Sequence, residues 1–189
     1  IEMRLFANRC QSGPTSSLIL EDYSQKINFI KKLDFEIYNN LQVRPYADTG
    51  WNTHKRYMDD LGINKISTSL PLREAIGCSK IIVCSYPQTT FSEAMHSGVP
   101  TILLYTEIYW ELISDFDDVV QVLKEASIIF SSPDDAAKHV NKVWENVPSW
   151  WDSEKTVKAR EYFFDRCGRV DDKSQSKWHD FFDEIINTT

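Results

Sequence analysis

The chain has no surplus of positive charge; its formal net charge is −7. That argues against nucleic acid as the main partner, because a phosphate backbone demands a basic surface. It has no long hydrophobic run either. The longest, near residues 81–84 and 102–105, are a few residues each, far short of a membrane span. The opening, IEMRLFANRC, lacks a basic stretch followed by an apolar one, so no signal peptide is expected. It also lacks an initiator methionine and enters directly on a strand-like pattern, so the chain is expected to be a piece of a longer protein. Cys10, Cys78, Cys84 and Cys167 form no CxxC pair, and His54, His96, His139 and His179 have no metal-ligand spacing. Cys78 and Cys84 fall at or beside a buried strand, and reduced core thiols in a cytoplasmic protein are the expectation, with no bound metal. Internal repeats and low-complexity tracts are absent as well.

What is present is a globular composition: 189 residues, 42% hydrophobic and 26% charged, enough for one domain with a real core. Strand-like and helix-like segments alternate along it. Strands are expected over residues 3–7, 41–44, 80–85, 100–104 and 127–130, and helices over 21–33, 51–61, 71–77, 89–97, 117–126 and 133–146. That alternation predicts an α/β fold, a Rossmann-like parallel sheet with helices on both faces. Residues 1–150 would form this nucleotide-binding domain. An aromatic-rich tail over 151–189, with Trp151, Tyr162, Phe163, Phe164, Trp178, Phe181 and Phe182, would form a helical crossover segment. It would pack across the sheet domain or against a part outside this sequence.

The most informative stretch is residues 79–105, SKIIVCSYPQTTFSEAMHSGVPTILLY. It predicts a buried strand, a polar turn, a helix opening on Thr89 and Thr90, and a second buried strand behind Gly98-Val99-Pro100. Such a unit aims backbone N–H groups and hydroxyls at the carboxyl end of the first strand, where a phosphate can sit. Ser85 and Gln88 would line the turn. Glu93, one turn after Thr90, could accept the hydroxyls of a ribose. Thr90-Phe91-Ser92-Glu93 also fits a capping box, with Thr90 at the N-cap and Glu93 three residues on, which needs no ligand. The two readings are compatible. Phe91, Ala94 and Met95 face the core in either.

The pattern T-T-x-x-E-A-x-x-x-G-x-P before an apolar strand resembles the donor-binding half of GT-B glycosyltransferases. It is also similar to the bacterial polymerases that transfer glycerol phosphate from CDP-glycerol. A group of bacterial transferases linked to surface-carbohydrate synthesis matches more widely. It resembles the chain at Val43-Arg44-Pro45-Tyr46 with Gly50-Trp51, at residues 89–100, at Ser132-Pro133 with Ala136-Ala137, and at Trp150-Trp151. The resemblance implies a C-terminal, donor-nucleotide half of a GT-B enzyme that moves a sugar from a nucleotide-sugar to a bacterial surface glycan or lipid-linked acceptor. It implies that Thr89 and Thr90 hold donor phosphate, that Glu93 holds ribose, and that Arg44 meets the diphosphate, where a guanidinium suits a bidentate contact. It implies no cofactor or metal, and a general base from an N-terminal domain outside this sequence. Peripheral membrane association of the longer protein is compatible with it. Two departures stand out. The His-Pro pair that relatives carry at the Arg44 position lacks its histidine, and the E-x7-E spacing of retaining enzymes is missing, with Ser85 eight residues before Glu93 and Thr101 eight after. A CDP-polyol phosphotransferase and a non-catalytic assembly domain are the alternatives.

Other candidates have plainer readings. Asp115-Phe116-Asp117 has the D-x-D form but precedes an amphipathic pattern, so it reads as a helix start. Gly13-Pro14-Thr15-Ser16-Ser17 lacks the lysine of a P-loop. Asp48 and Trp51 could line a cleft, with Trp51 equally credible as a core anchor. Trp150-Trp151 could stack on sugar rings, but such a pair more commonly wedges a crossover against the core. His96 reads as a surface helix residue. An apolar strand should raise the pKa of Cys84, and no basic partner stands nearby in sequence.

Overall fold

The structure is a computed structural model that describes residues 18–45, 51–67, 69–168 and 173–188. The strand expected over 3–7, the loop after it, Cys10 and Asp48 lie outside them. Three short parallel strands form the centre: β1 (Ile82–Cys84), β2 (Thr101–Leu104) and β3 (Ile129–Phe130). They lie in the order β1-β2-β3, with Ile82 opposite Thr101 and Leu103 opposite Ile129. All four residues of β2 are buried, as expected of a central parallel strand covered on both faces. The fold is α/β, as the alternation of segments predicts.

Helix α5 (Thr89–His96) joins β1 to β2, and α6 (Asp117–Glu125) joins β2 to β3. Both steps run the same way across the sheet, so right-handed crossovers put both helices on one face. Phe91, Ala94 and Met95 of α5 are buried there, with Val119 and Leu123 of α6. Helix α7 (Pro133–Val143) follows β3 and packs on β2 and β3. Helix α1 (Ile19–Lys31) packs against α7. Asn141 of α7 fastens that pair, donating to the Lys32 carbonyl at 3.0 Å and accepting from the Asp34 N–H at 3.1 Å. Three shorter helices, α2 (Phe35–Asn40), α3 (Thr53–Leu61) and α4 (Leu72–Gly77), fill the segment between α1 and β1. Gly62, with φ of +89°, ends α3 where an L side chain would be strained.

After α7 the chain passes beneath the sheet. Helix α8 (Val147–Trp151) opens with Asn146 capping the Ser149 N–H and Pro148 in the first turn. Its two tryptophans are buried. Trp150 donates its indole N–H to the Ala126 carbonyl at 2.9 Å, and Trp151 donates to the Gly98 carbonyl at 2.9 Å. Ala126 ends the crossover before β3 and Gly98 the one before β2, so this pair closes the amino edge of the sheet. Helix α9 (Glu154–Cys167), capped by Ser153, then packs on α6 and sets Phe163 edge-on to Phe91 at 5.5 Å. Helix α10 (Ser174–Thr188) follows.

Two expectations change. The strand over 41–44 is a single parallel bridge, Val43 to Ile66, made by Val43 N–H to the Lys65 carbonyl (2.6 Å) and Ser67 N–H to the Val43 carbonyl (2.9 Å). Ile66 emerges from a tight 3-10 turn (Ile63–Lys65) and Pro45 has no N–H to donate, so the ladder cannot lengthen. The segment before it, read only as leading into a strand, is the helix α2, which buries Ile37.

Candidate functional site

β1 ends at Cys84, and the chain turns through Ser85, Tyr86, Pro87 and Gln88 before α5 begins. The amino end of α5 therefore sits at the carboxyl edge of the sheet by connectivity alone. Gln88 is the N-cap, in extended conformation, and its side chain makes no cap hydrogen bond. Its carbonyl accepts from the Phe91 N–H at 2.9 Å. Among the described residues, no acceptor meets the N–H groups of Thr89 and Thr90. Gln88, Thr89 and Glu93 are exposed, and Ser85 is half-buried. Thr89 and Glu93 are one helical turn apart, so they share the outward face.

The capping box does not form. Helical geometry already holds at Thr89, so Thr90 lies inside the first turn rather than at the cap. Its side chain is buried, and its Oγ1 lies 2.6 Å from the Tyr86 hydroxyl. Tyr86 is itself buried and packs on Trp110, ring centroids 6.0 Å apart. Sequence reasoning missed both aromatics. The available signal was Tyr86 four residues before a helical threonine, an aromatic in an otherwise polar turn. Of the two threonines, then, Thr89 presents an open hydroxyl and Thr90 anchors the turn to the strand end.

Charge separates this helix end from its neighbours. The first turn of α6 carries Asp117 and Asp118, and that of α7 carries Asp134 and Asp135, with Ser132 capping the Asp135 N–H at 3.3 Å. The first turn of α5 has no carboxylate. Carboxylates at a helix amino end already occupy the positive pole that a phosphate would use. The edge beside β2 is acidic too: burial, then Glu107 and Asp117, push the Tyr105 phenol up to about 12.

Ser85, Gln88, Thr89, Thr90 and Glu93 are thus brought together in one strand–turn–helix unit. Arg44 is on a separate segment, next to the Val43 bridge. It is half-buried, and its Nη1 donates to the Leu70 carbonyl at 2.6 Å. A guanidinium carries five N–H donors, so this contact leaves most of its capacity uncommitted.

The remaining candidates resolve into structural roles. Asp117 opens α6 after a 3-10 turn containing Asp115 and Phe116, and the Asp118 carboxylate accepts from the Tyr162 hydroxyl. Trp150 and Trp151 lie at the opposite edge from the α5 turn, buried, where they cannot stack on a sugar. His96 is at the far end of α5. Its Nδ1 faces the Ser92 carbonyl at 2.8 Å and its Nε2 the Gly168 carbonyl at 3.1 Å, so it ties α5 to the end of α9. Trp51 is half-buried, and its carbonyl accepts from Arg56 Nε at 3.0 Å. Cys78, Cys84 and Cys167 are free thiols, with Cys78 exposed rather than buried. Burial pushes the Cys84 thiol up to about 11, which removes it as a nucleophile. No three metal-ligating side chains converge among the described residues.

The model of the LIC12162 family transferases matches residues 1–182. The chain belongs to this family of transferases. No curated protein and no solved structure matches it. The match runs through the α5 turn, the sheet and the tryptophan pair. In this transferase, no helix among the described residues is long and apolar enough to cross a membrane.

Proposed function

We propose that this transferase holds the diphosphate of a nucleotide-sugar donor at the amino end of α5 and passes the sugar to a bacterial surface glycan. The observation that carries this reading is the contrast among the three helices at the carboxyl edge: α5 alone has neither a side-chain cap nor a carboxylate in its first turn. In this reading the sheet is a Rossmann-like, donor-binding half of a GT-B architecture. The Thr89 and Thr90 N–H groups and the Thr89 hydroxyl bind phosphate oxygens, with a dipole contribution of about 0.3–1 kcal/mol. Ser85 and Gln88 line the turn, Arg44 closes on the diphosphate, and Glu93 accepts the ribose hydroxyls. These donors stabilise the nucleotide as negative charge develops on it in the transition state. In this reading the general base comes from a further domain facing this edge, and the isolated chain is inactive.

Calorimetric titration with UDP, CDP, GDP and CMP tests the proposal. Diphosphates should bind more tightly than the monophosphate, and Thr89→Val and Arg44→Met should each weaken diphosphate binding by about tenfold, the loss of one charge-assisted hydrogen bond. A cytidine preference would point to a CDP-polyol or CMP-sugar donor. Failure of every nucleotide to bind at millimolar concentration would overturn the reading in favour of an assembly domain.

A further inference from the structure

The turn that leaves β2 folds back on itself, with the N–H groups of Tyr109 and Trp110 donating to the Thr106 carbonyl at 2.9 and 3.2 Å. β1 and β2 run parallel with Cys84 opposite Leu103, so this turn stands beside the one that leads from β1 into α5. The two meet through Trp110 and Tyr86, whose rings are tilted by 31°. Trp110 is only 5% exposed, yet its indole Nε1 has no acceptor among the described residues. The buried indoles of Trp150 and Trp151 both donate to carbonyls. Trp51, His139 and Arg160 also hold a buried nitrogen without a partner, but each of those residues is half-buried.

An indole N–H can only donate. Buried without an acceptor, it has given up its bond to water and gained none, and such groups are rare in native structures. Packing does not require one, since a phenylalanine ring would meet Tyr86 with no polar atom to satisfy. The unmet donors cluster. Among the described residues the N–H groups of Thr89 and Thr90 lack acceptors too. All three donors belong to residues that are packed on Tyr86, bonded to it or within three positions of it. A group that satisfies several N–H donors at once is an oxyanion, and a phosphate presents the oxygens for it.

We propose that Trp110 is a further ligand-binding residue of this transferase, its indole N–H donating to a phosphate oxygen of the diphosphate held at α5. The inference rests on the reading of α5 as the donor site. The N–H is closed to water where it stands. The two turns therefore ease apart as the phosphate enters, and the bond forms in a site of low dielectric, where it is strong.

Trp110→benzothienylalanine in the full 189-residue chain tests this, since a sulfur replaces the N–H and the bicyclic ring stays against Tyr86. Urea unfolding should show no loss of stability, because no acceptor is abandoned. Calorimetry with UDP and CDP should show affinity lower by about tenfold, the worth of one charge-assisted hydrogen bond. In the unaltered chain, isotope-labelled at tryptophan, the Trp110 indole signal is identified by its absence from the variant. It should move downfield in the magnetic resonance spectrum on adding either nucleotide. A loss of stability would reveal a protein acceptor for the N–H and overturn the proposal. Undiminished affinity in the variant, or an unmoved indole signal, with Thr89→Val still weakening binding, would overturn it and leave the α5 site standing without Trp110. Binding of neither nucleotide to the unaltered chain would overturn the donor-site reading and this inference with it.

Discussion

The Tyr86 hydroxyl and Thr90 Oγ1 lie 2.6 Å apart in a buried contact that ties the end of β1 to the first turn of α5. This bond sets which threonine is exposed. Thr90 is turned inward to the strand end, and Thr89 is left on the open face beside Glu93. The turn is therefore held from below, with its N–H groups directed at the carboxyl edge.

Replacing Tyr86 with phenylalanine keeps the ring against Trp110 but removes the partner of the Thr90 hydroxyl. The expected cost is about 1 kcal/mol, measured by urea unfolding. Thr90→Val should cost a similar amount, and the double variant should cost less than the sum. Additive losses would show that the two hydroxyls are not coupled.

Thr89→Asp separates helix capping from ligand binding. A carboxylate in the first turn should stabilise α5 by about 0.3–1 kcal/mol through the helix dipole. The same charge should repel a diphosphate and lower nucleotide affinity by about tenfold or more. A variant that is more stable and binds equally well would remove this helix end from the site.

Glu93 is exposed, so Glu93→Gln should change stability by less than about 0.5 kcal/mol. Ribonucleotide affinity should fall by about tenfold, the worth of a hydrogen bond to a charged group. Affinity for 2′-deoxynucleotides should fall less. Equal losses for both sugars in calorimetry would take Glu93 away from the ribose.

Trp150 is at the opposite edge, donating to the Ala126 carbonyl at 2.9 Å. Trp150→Ala should cost about 3–5 kcal/mol, the usual loss for an emptied aromatic site. Trp150→Phe should cost less, the N–H and part of the volume. Nucleotide affinity of the folded Trp150→Phe protein should be unchanged. A large drop would mean that the amino edge and the turn are coupled.

His139 gives stability a pH dependence. Its ring lies between Phe130 and Trp150, with centroids 5.2 and 4.7 Å away, and burial, helped by Lys142, holds its pKa down at about 4 rather than the ordinary 6.5. Between those values the unfolded chain binds more protons than the native one, so stability rises with pH. The protein should be fully stable above about pH 6.5 and lose stability as pH falls toward 4. Solvent on the open side of the ring reduces the effect to about 1–2 kcal/mol. His139→Phe should flatten that part of the unfolding profile; an unchanged slope would assign it to other groups.

The order of strands and helices was legible because it rests on local periodicity and short buried runs. β1, α5 and β2 fall within the segment 79–105 as expected, and α6 and α7 begin at Asp117 and Pro133. A residue's distant partner leaves no such trace. The capping box at Thr90 fitted the spacing, but the packing of Tyr86 gave the hydroxyl a buried partner four residues back. The strand at 41–44 had the right residues, but Ile66 offers it only a single bridge. Trp150 and Trp151 stood side by side in sequence with two readings open; their acceptors, Ala126 and Gly98, are 24 and 53 residues away.

By itself, then, the sequence determined an α/β chain with a strand–turn–helix unit whose helix opens on two threonines, because backbone preference and hydrophobic period act over a few residues. Only the tertiary structure decided which threonine is open, where Arg44 is anchored, and which helix ends stand together at the carboxyl edge. Those outcomes depend on which side chains meet across the sheet, and burial at close range fixes their partners in a way that no local pattern encodes.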